Sequence, residues 1–505
     1  MVRQFQLDWP HLPPPEMFLF LIPLFLQCLL LHPVLPSTPS RFLRFILMPL
    51  SLSLSFSAPY RFAIEPRNQA VGVNFVFGIM GGYGIWKAVE WGLARDLTSY
   101  TWKGFEEEDD GKNGAANGAG NGAAVNGKMV ANGHTPSSSS KEKPSKDDLA
   151  LRQKRQRAHL LTLRSLQARQ AIPWTILRDT FHLLISMRGQ GYHFCQTSTE
   201  PFPRQPHAFF RRLVLEIAWS HPVLTGCAAI LLEPPTSRDR FLLGLLPQVA
   251  KNETLAHYLG ELCTGFSMGI AVFAALTLGY SLATLLVFLS TVALRRYAPE
   301  GLRPAPFDAR EYPPLFNFAR RPQSVAVFWS KQWHSFFARS FRFLAFDPIH
   351  AVVSPWAGKL TSRALSVLAV FALSSWIHEF GLTTATSTLH LSPNPIPYST
   401  VPFWQRWGGS IYFMSQGVAI ILEGAFTALT GKKTGGWTGT VWNAAVTVAV
   451  GGVLYKGWMT QGLVREVPTV AYWSWQRFLV PLGCLLPPPL WMNSLPETYA
   501  YERHV

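Results

Sequence analysis

The segment ALSVLAVFALSSWIHEFGL, residues 364–382, is an apolar run with one ionisable pair, His378-Glu379, near its end. Its length is that of a helix crossing a membrane. A side chain that can carry charge is costly inside a membrane, so such a residue indicates a functional site. Imidazole can accept and return a proton near neutral pH. The segment predicts a membrane enzyme with His378 as a base; a packed histidine bonded to a hydroxyl or carbonyl is the alternative.

The composition of the whole chain is that of a membrane protein. Of its 505 residues, 48% are hydrophobic and 15% are charged, and the mean hydropathy is +0.13. Soluble domains carry roughly 25% charged residues. The basic residues behind the net charge of +16 lie in loops between apolar runs, as the positive-inside rule requires, which argues against nucleic acid as a partner. Five scattered cysteines without a CxxC pair support neither a disulfide framework nor a zinc site.

Apolar runs along the chain predict an all-α, polytopic transmembrane bundle of about eight to ten spans around a buried active-site chamber. The candidate spans are Met17–Leu31, Phe42–Phe56, Val71–Leu93, Leu213–Leu232, Leu255–Leu294, Leu365–Leu382, Ile411–Leu429, Trp437–Leu454 and roughly Phe478–Trp491. The first is expected to be a span or signal anchor rather than a cleaved signal peptide. The run Leu255–Leu294 permits one long helix or a hairpin, and the basic segment 295–342 favours one long or broken span.

The chain divides into five regions by composition. They are N-terminal spans (1–103), a low-complexity insert expected to be disordered and cytoplasmic (104–150), a basic amphipathic segment expected on the membrane surface (151–206), a membrane core (207–495) and a polar tail (496–505). Within the surface segment, helical apolar spacing begins at Trp174, and Gly189 and Gly191 are expected to end that helix in a glycine turn.

A second histidine lies in the stretch Phe328-Trp-Ser-Lys-Gln-Trp-His334. Written as a helix to Arg342, this stretch places aromatic residues on one face and polar or basic residues on the other, with His334 at the border. The pattern predicts an interfacial helix whose cations, Lys331 and Arg339, contact the phosphates of a nucleotide carrier such as coenzyme A. The alternative is a surface helix that anchors the protein on anionic lipid.

Three motifs together resemble one family. The stretch ending at His334 resembles the FYxDWWN-type signature of membrane-bound O-acyltransferases, and more closely the FWxxxWH form of the wax-synthase-like branch common in fungi. The stretch around His378 resembles the family's intramembrane histidine motif. Residues 174–192 resemble the W…RGxGW element, with Tyr192 in place of the last Trp. The motifs follow the family order, and the resemblance implies that the 207–495 core is a wax-synthase-like acyltransferase.

The resemblance assigns roles to individual residues. His378 is the expected catalytic histidine, and His334 is its expected partner, where many relatives carry Asn. His334 would polarise the thioester carbonyl, orient the alcohol or shape the site. The residues expected to bind the substrate or acyl-CoA are Trp329, Trp333, Lys331, Arg339, Glu379, Ser374 and Arg188. No bound cofactor and no metal are expected, and acyl-CoA is the co-substrate.

The expected function is acyl-CoA-dependent O-acyl transfer to a lipophilic alcohol in the endoplasmic reticulum membrane. The donor is acetyl-CoA or a long-chain acyl-CoA. The acceptor is a terpenoid or other secondary metabolite, or a fatty alcohol that gives a wax ester. A transporter is the alternative, with its candidate intramembrane carboxylates at Glu90, Glu216, Glu261 and Glu423. A prenyltransferase fits less well, because no DxxxD pair lies in or beside an apolar run. A non-catalytic scaffold is the remaining alternative.

Overall fold

The computed structural model of this protein describes residues 15–63, 71–95, 97–100, 102, 173–195, 202–232, 252–300, 303–318, 321–386, 402–461 and 463. The regular secondary structure of these residues is helical. The main helices are α1 (Leu21–Leu29), α2 (Ser37–Arg61), α3 (Val71–Leu93), α4 (Pro173–Ile185), α5 (Pro206–Leu232), α6 (Glu253–Tyr297), α7 (Asp347–Thr386), α8 (Gly408–Thr430), α9 (Gly436–Ala449) and α10 (Gly451–Thr460). The insert 104–150, the tail 496–505 and the candidate span Phe478–Trp491 lie outside the described residues.

The helices form the all-α membrane bundle that the sequence predicts. Within the described residues, five helical stretches are long and apolar enough to cross a membrane; these are α2, α6, α7 with its preceding turn, α8, and α9 continued by α10. Eight to ten were expected from the whole chain. The predicted first span, Met17–Leu31, contains a regular α-helix of only nine residues. At 1.5 Å per residue that helix is about 14 Å long, too short for the roughly 30 Å hydrocarbon core.

Helix α6 is one continuous helix, which confirms the prediction of a single long element over Leu255–Leu294. It has 45 residues, or about 68 Å at 1.5 Å per residue. The side chain of Asn252 caps its first turn by accepting a hydrogen bond from Leu255 N at 3.1 Å. Because α6 exceeds the roughly 30 Å hydrocarbon core, it must tilt strongly or project from the membrane.

Helix α3 packs closely against the part of α7 that carries His378. The close approach depends on facing glycines, since a Cβ atom at Gly78 would lie 2.7 Å from Gly381 Cα, and one at Gly82 would lie 3.0 Å from Ile377 Cγ1. Small residues of this kind let helix backbones approach in a membrane. The contact fixes the position of the helical turns that bracket His378.

Replacing Gly78 with alanine tests this contact. A methyl group there meets the backbone of α7, which cannot move without shifting His378, so we expect a loss of about 1–3 kcal/mol of stability. The melting temperature in detergent measures it. The matched control is Gly269→Ala in α6, where nothing lies within 4 Å of the new methyl. Equal melting temperatures for both variants would contradict the close packing.

Residues 325–346, called here the histidine segment, are not the continuous amphipathic helix predicted for 328–342. A single α-helical turn, Val325–Val327, runs into a π-helical turn that ends with the hydrogen bond from Trp333 N to Phe328 O at 2.8 Å. Trp333 then has an extended backbone, with ψ of 159°, and helix resumes only at Ala338. The prediction of an interfacial helix here is therefore wrong.

Long-range hydrogen bonds hold both ends of the helical part of the histidine segment. The carboxylate of Glu423 on α8 accepts from Val325 N at 2.7 Å and from Ala326 N at 3.1 Å. The carbonyl of Gln332 accepts from Asn317 N at 3.0 Å. The bonds to Glu423 satisfy first-turn N–H groups that a helix leaves unpaired, and the bond to Gln332 O satisfies a carbonyl at the end of the π-helical turn.

Candidate functional site

His378 lies on α7 with one ring nitrogen already bonded. Its Nδ1 is 2.7 Å from the backbone carbonyl oxygen of Ser374. A carbonyl only accepts, so we assign the proton to Nδ1, which leaves Nε2 unprotonated. The ring stacks on Phe413 at 4.4 Å between centroids and lies 6.1 Å from the ring of Trp458. The arrangement gives an oriented imidazole whose unprotonated nitrogen can act as a base.

Glu379, predicted to bind substrate, is hydrogen-bonded to the start of α8. Its Oε1 accepts from Ser410 N and from Ser410 Oγ, both at 3.0 Å. Ser375 Oγ donates to the same Ser410 hydroxyl at 2.8 Å. The side chain of Glu379 therefore joins α7 to α8 next to His378, and the contribution of Ser374 is its backbone carbonyl rather than its hydroxyl.

His334 lies in the non-helical part of the histidine segment, surrounded by aromatic rings. The nearest are Phe336 at 5.2 Å, Trp333 at 5.5 Å and Phe337 at 6.0 Å between centroids. Its Nδ1 is buried and has no hydrogen-bond partner within the described part of the chain. Burial, and then the nearby His378 and Arg188, lower the pKa of His334 to about 3. His334 is therefore a neutral imidazole.

Arg188 fixes the loop that carries His334. Its Nε donates to Ser335 Oγ at 3.1 Å, and its Nη1 donates to the carbonyls of Pro313 at 2.9 Å and Pro314 at 3.1 Å. Arg188 follows α4, and the predicted glycine turn is present, with φ of +61° at Gly189. The guanidinium thus links three separate stretches of chain directly beside His334.

The two predicted tryptophans connect the histidines. Trp329 and Trp333 are 5.6 Å apart, and Trp329 lies 6.3 Å from Phe413, the ring that stacks on His378. Trp329 Nε1 donates to Gln416 Oε1 at 3.2 Å. Gln416 is fully buried on α8. An aromatic wall therefore runs from the His334 loop to His378.

The two predicted cations lie in different environments. Lys331 is exposed on the π-helical turn, where a charged ligand could reach it. Arg339 lies 3.4 Å from Glu90 Oε1 and 3.5 Å from the hydroxyl of Tyr100, in a partly buried ion-pair cluster. Only Lys331 therefore has the exposure expected for a contact with coenzyme A phosphates.

Sequence reasoning missed the contribution of α8. Ser410, Phe413 and Gln416 all contact predicted site residues, yet their run was interpreted only as a membrane span. Gln416 carried a usable signal, because a buried amide inside an apolar run indicates function for the same reason as His378. Ser410 and Phe413 carried none, since serine and phenylalanine are ordinary residues in such a helix.

The carboxylates that a transporter would use are bonded to neighbouring groups. The pairs are Glu216 Oε2 with Ser281 Oγ at 2.6 Å, Glu261 Oε2 with Lys456 Nζ at 2.6 Å, Glu423 Oε1 with Val325 N at 2.7 Å, and Glu90 Oε2 with Lys87 Nζ at 2.8 Å. Each bond is a local link between or within helices. The four glutamates thus have structural partners and do not line up as a shared ion site.

The segment 312–401 matches the family model described as the membrane bound O-acyl transferase family. It contains the whole histidine segment and the whole of α7, including both histidines. The match supports the resemblance to that superfamily and a membrane acyltransferase activity in general. Helices α1–α6 and α8–α10 lie outside the matched segment. No curated protein and no solved structure matches the chain.

Proposed function

We propose that the protein transfers an acyl group from acyl-CoA to the hydroxyl of a lipophilic alcohol, with His378 as the general base. One observation carries the proposal. Within the segment that matches acyltransferases, His378 has Nδ1 bonded to Ser374 O and its Nε2 unprotonated, and aromatic rings connect it to a second, neutral imidazole, His334. An oriented neutral histidine is the most common general base in enzymes.

The first step uses the unprotonated nitrogen of His378. The acceptor hydroxyl gives its proton to Nε2 while its oxygen attacks the carbonyl carbon of the thioester. The resulting imidazolium is stabilised by the bond from Nδ1–H to Ser374 O, which strengthens when the ring is charged. The carbon–sulfur bond then breaks, and the thiolate takes the proton back from His378. The acyl group passes directly to the alcohol, without a covalent acyl-enzyme.

His334 is suited to stabilise the oxyanion of that reaction. As a neutral imidazole it has one N–H donor, and aromatic rings surround it. A hydrogen bond in such an apolar environment stabilises developing negative charge more than it would in water. The same rings and the membrane helices keep water from hydrolysing the thioester.

The neutral state of His334 predicts an effect of pH on stability. Its pKa of about 3 lies below the value of about 6.5 for imidazole in an unfolded chain. The unfolded chain therefore binds the proton first, and stability that is full above about pH 6.5 is lost as the pH falls toward 3. We expect the melting temperature of the wild type to fall more steeply from pH 7 to pH 5 than that of His334→Asn. Equal slopes would contradict a buried neutral His334.

The substrates follow from the resemblance to the wax-synthase-like branch. We propose acetyl-CoA or a long-chain acyl-CoA as the donor, and a terpenoid-like or fatty alcohol as the acceptor. A lipophilic acceptor would enter sideways from the bilayer, and the protein would reside in the endoplasmic reticulum membrane. Exposed Lys331 would meet the donor from the aqueous side.

The experiment offers acetyl-CoA and palmitoyl-CoA, with fatty and terpenoid alcohols, to microsomes that contain the protein. Released CoA is measured with a thiol reagent, and esters are identified by mass spectrometry. Esters formed only in the presence of the protein support the proposal and name the donor class. CoA release without ester would indicate hydrolysis instead of transfer. If no combination of donor and alcohol gave CoA release or an ester, and reconstituted vesicles took up a solute, the result would favour the transporter alternative.

A further inference from the structure

Glu90, near the end of α3, is a fully buried carboxylate that accepts hydrogen bonds from four side chains. Two donors come from its own neighbourhood, Lys87 Nζ at 2.8 Å and the Tyr100 hydroxyl at 3.0 Å. The other two come from the histidine segment, Ser340 Oγ at 3.0 Å and Arg339 Nε at 3.4 Å. A buried carboxylate is stable only when paired and hydrogen-bonded in this way. Glu90 therefore fixes residues 339–340, which lie just beyond His334.

Aromatic contacts place the same helix against the His334 loop. The ring of Trp86 meets Phe337 edge-on at 5.5 Å and lies 5.5 Å from Phe341. Phe337 in turn meets the His334 ring edge-on at 6.0 Å. Trp86 is almost fully buried, so it has little freedom to adjust. One turn of α3 thus supplies both an ionic and an aromatic contact to the chain around His334.

The middle of α3 contacts the helix that carries His378. Gly78 and Gly82 lie against Gly381 and Ile377, within one turn of His378 on either side. A single regular helix therefore contacts the chain next to both histidines. Helices transmit position rigidly over a few turns, because packed interfaces deform little.

We propose that α3 sets the position of His334 relative to His378, and that Glu90 is the positioning residue at the His334 end. Neither Glu90 nor Trp86 would touch the substrate. Catalysis falls steeply when reacting groups are displaced by about 1 Å, so loosening this end of α3 would slow the reaction without preventing substrate binding. The kinetic part of this inference rests on the proposed acyl transfer.

The test compares Ser340→Ala with Ser51→Ala. Both serines are buried, but Ser340 Oγ bonds Glu90 across two elements, whereas Ser51 Oγ bonds Leu47 O within its own helix. We expect Ser340→Ala to lower kcat about 3- to 10-fold with KM within twofold of wild type, because one hydrogen bond from a neutral hydroxyl to the Glu90 carboxylate is lost. Glu90→Gln, which also leaves Arg339 without its charged partner, should lower kcat further. Ser51→Ala should leave kcat unchanged.

Deuterium exchange gives a readout that does not require activity. The peptide containing residues 333–337 should exchange faster in Ser340→Ala and in Glu90→Gln, and at the wild-type rate in Ser51→Ala. This part of the experiment tests the positioning role even when no ester is detected, so it separates failure of this inference from failure of the proposed function. Wild-type exchange and kcat in Ser340→Ala would overturn the inference. The inference would also be overturned if Ser340→Ala and Ser51→Ala lost kcat in the same proportion to their fall in melting temperature, because the loss would then reflect stability alone.

Discussion

Replacing His378 with alanine should abolish ester formation. General acid–base catalysis by a side chain contributes about 10²–10⁴-fold, so we expect kcat to fall by roughly 10³-fold. The aromatic wall is unchanged in this variant, and KM for acyl-CoA should change little. Ester yield by mass spectrometry, normalised to the amount of protein in the membrane, measures the effect.

The matched control is His350→Ala on the same helix. His350 Nδ1 is 2.9 Å from Ser362 Oγ, and its ring stacks on Phe346 at 5.9 Å, so this imidazole is also ordered. It precedes the kink at Gly358, where φ is +76°, and so lies on a different part of α7 from His378. His350→Ala should keep wild-type kcat. Equal activity of the wild type and His378→Ala would remove His378 as the base.

Replacing His334 gives a second large effect, and its size should depend on the substituent. Alanine removes the hydrogen-bond donor, and loss of one oxyanion donor costs about 10²–10³-fold in kcat. Asparagine keeps a neutral N–H donor of similar reach, as in the many relatives that the resemblance describes. We therefore expect His334→Asn to retain most of the activity, within about tenfold of wild type.

The two substitutions at position 334 discriminate among the roles left open for this histidine. Activity retained in asparagine and lost in alanine supports an oxyanion donor. Similar losses in both would indicate that the imidazole ring itself is needed, for shape or for proton transfer. A raised KM for the alcohol with unchanged kcat would instead indicate that His334 orients the acceptor. Initial rates over a range of alcohol concentrations separate these outcomes.

Much of the membrane framework could be predicted from apolar runs. The run Ile411–Leu429 became α8, Gly408–Thr430, because about twenty apolar residues are nearly always helical in a membrane. His378 could be singled out from the sequence because it is an ionisable group in an apolar run, and its catalytic role stays a prediction. These predictions depend on local composition alone.

The histidine segment could not be predicted in the same way. A helical projection assumes a turn of 100° per residue, whereas the chain leaves the helix at Trp333. The groups that hold the chain on either side of this break are distant in sequence, since Glu423 on α8 caps Val325 and Arg188 bonds Ser335. Nothing in residues 328–342 encodes those partners, so the amphipathic pattern was misleading.

The contact between Glu90 and the histidine segment could not be predicted from the sequence for the same reason. Glu90 appeared in the sequence as a charge within a glycine-rich span, with a transporter site as one interpretation. Its partners Ser340 and Arg339 lie about 250 residues away in the chain. A buried charge indicates that a partner exists, but only the packing of α3 against the histidine segment identifies it.

Because Phe328–Gln332 forms a π-helical turn, the number of residues in this motif matters as much as their identities. The hydrogen bond from Trp333 N to Phe328 O encloses one more residue than an α-helical turn would. Deleting one residue there would restore ordinary helix and rotate everything that follows by roughly 100°, carrying the His334 ring away from α7. A deletion of one residue in this turn should therefore disturb the position of His334 more than an exchange of a side chain within the turn.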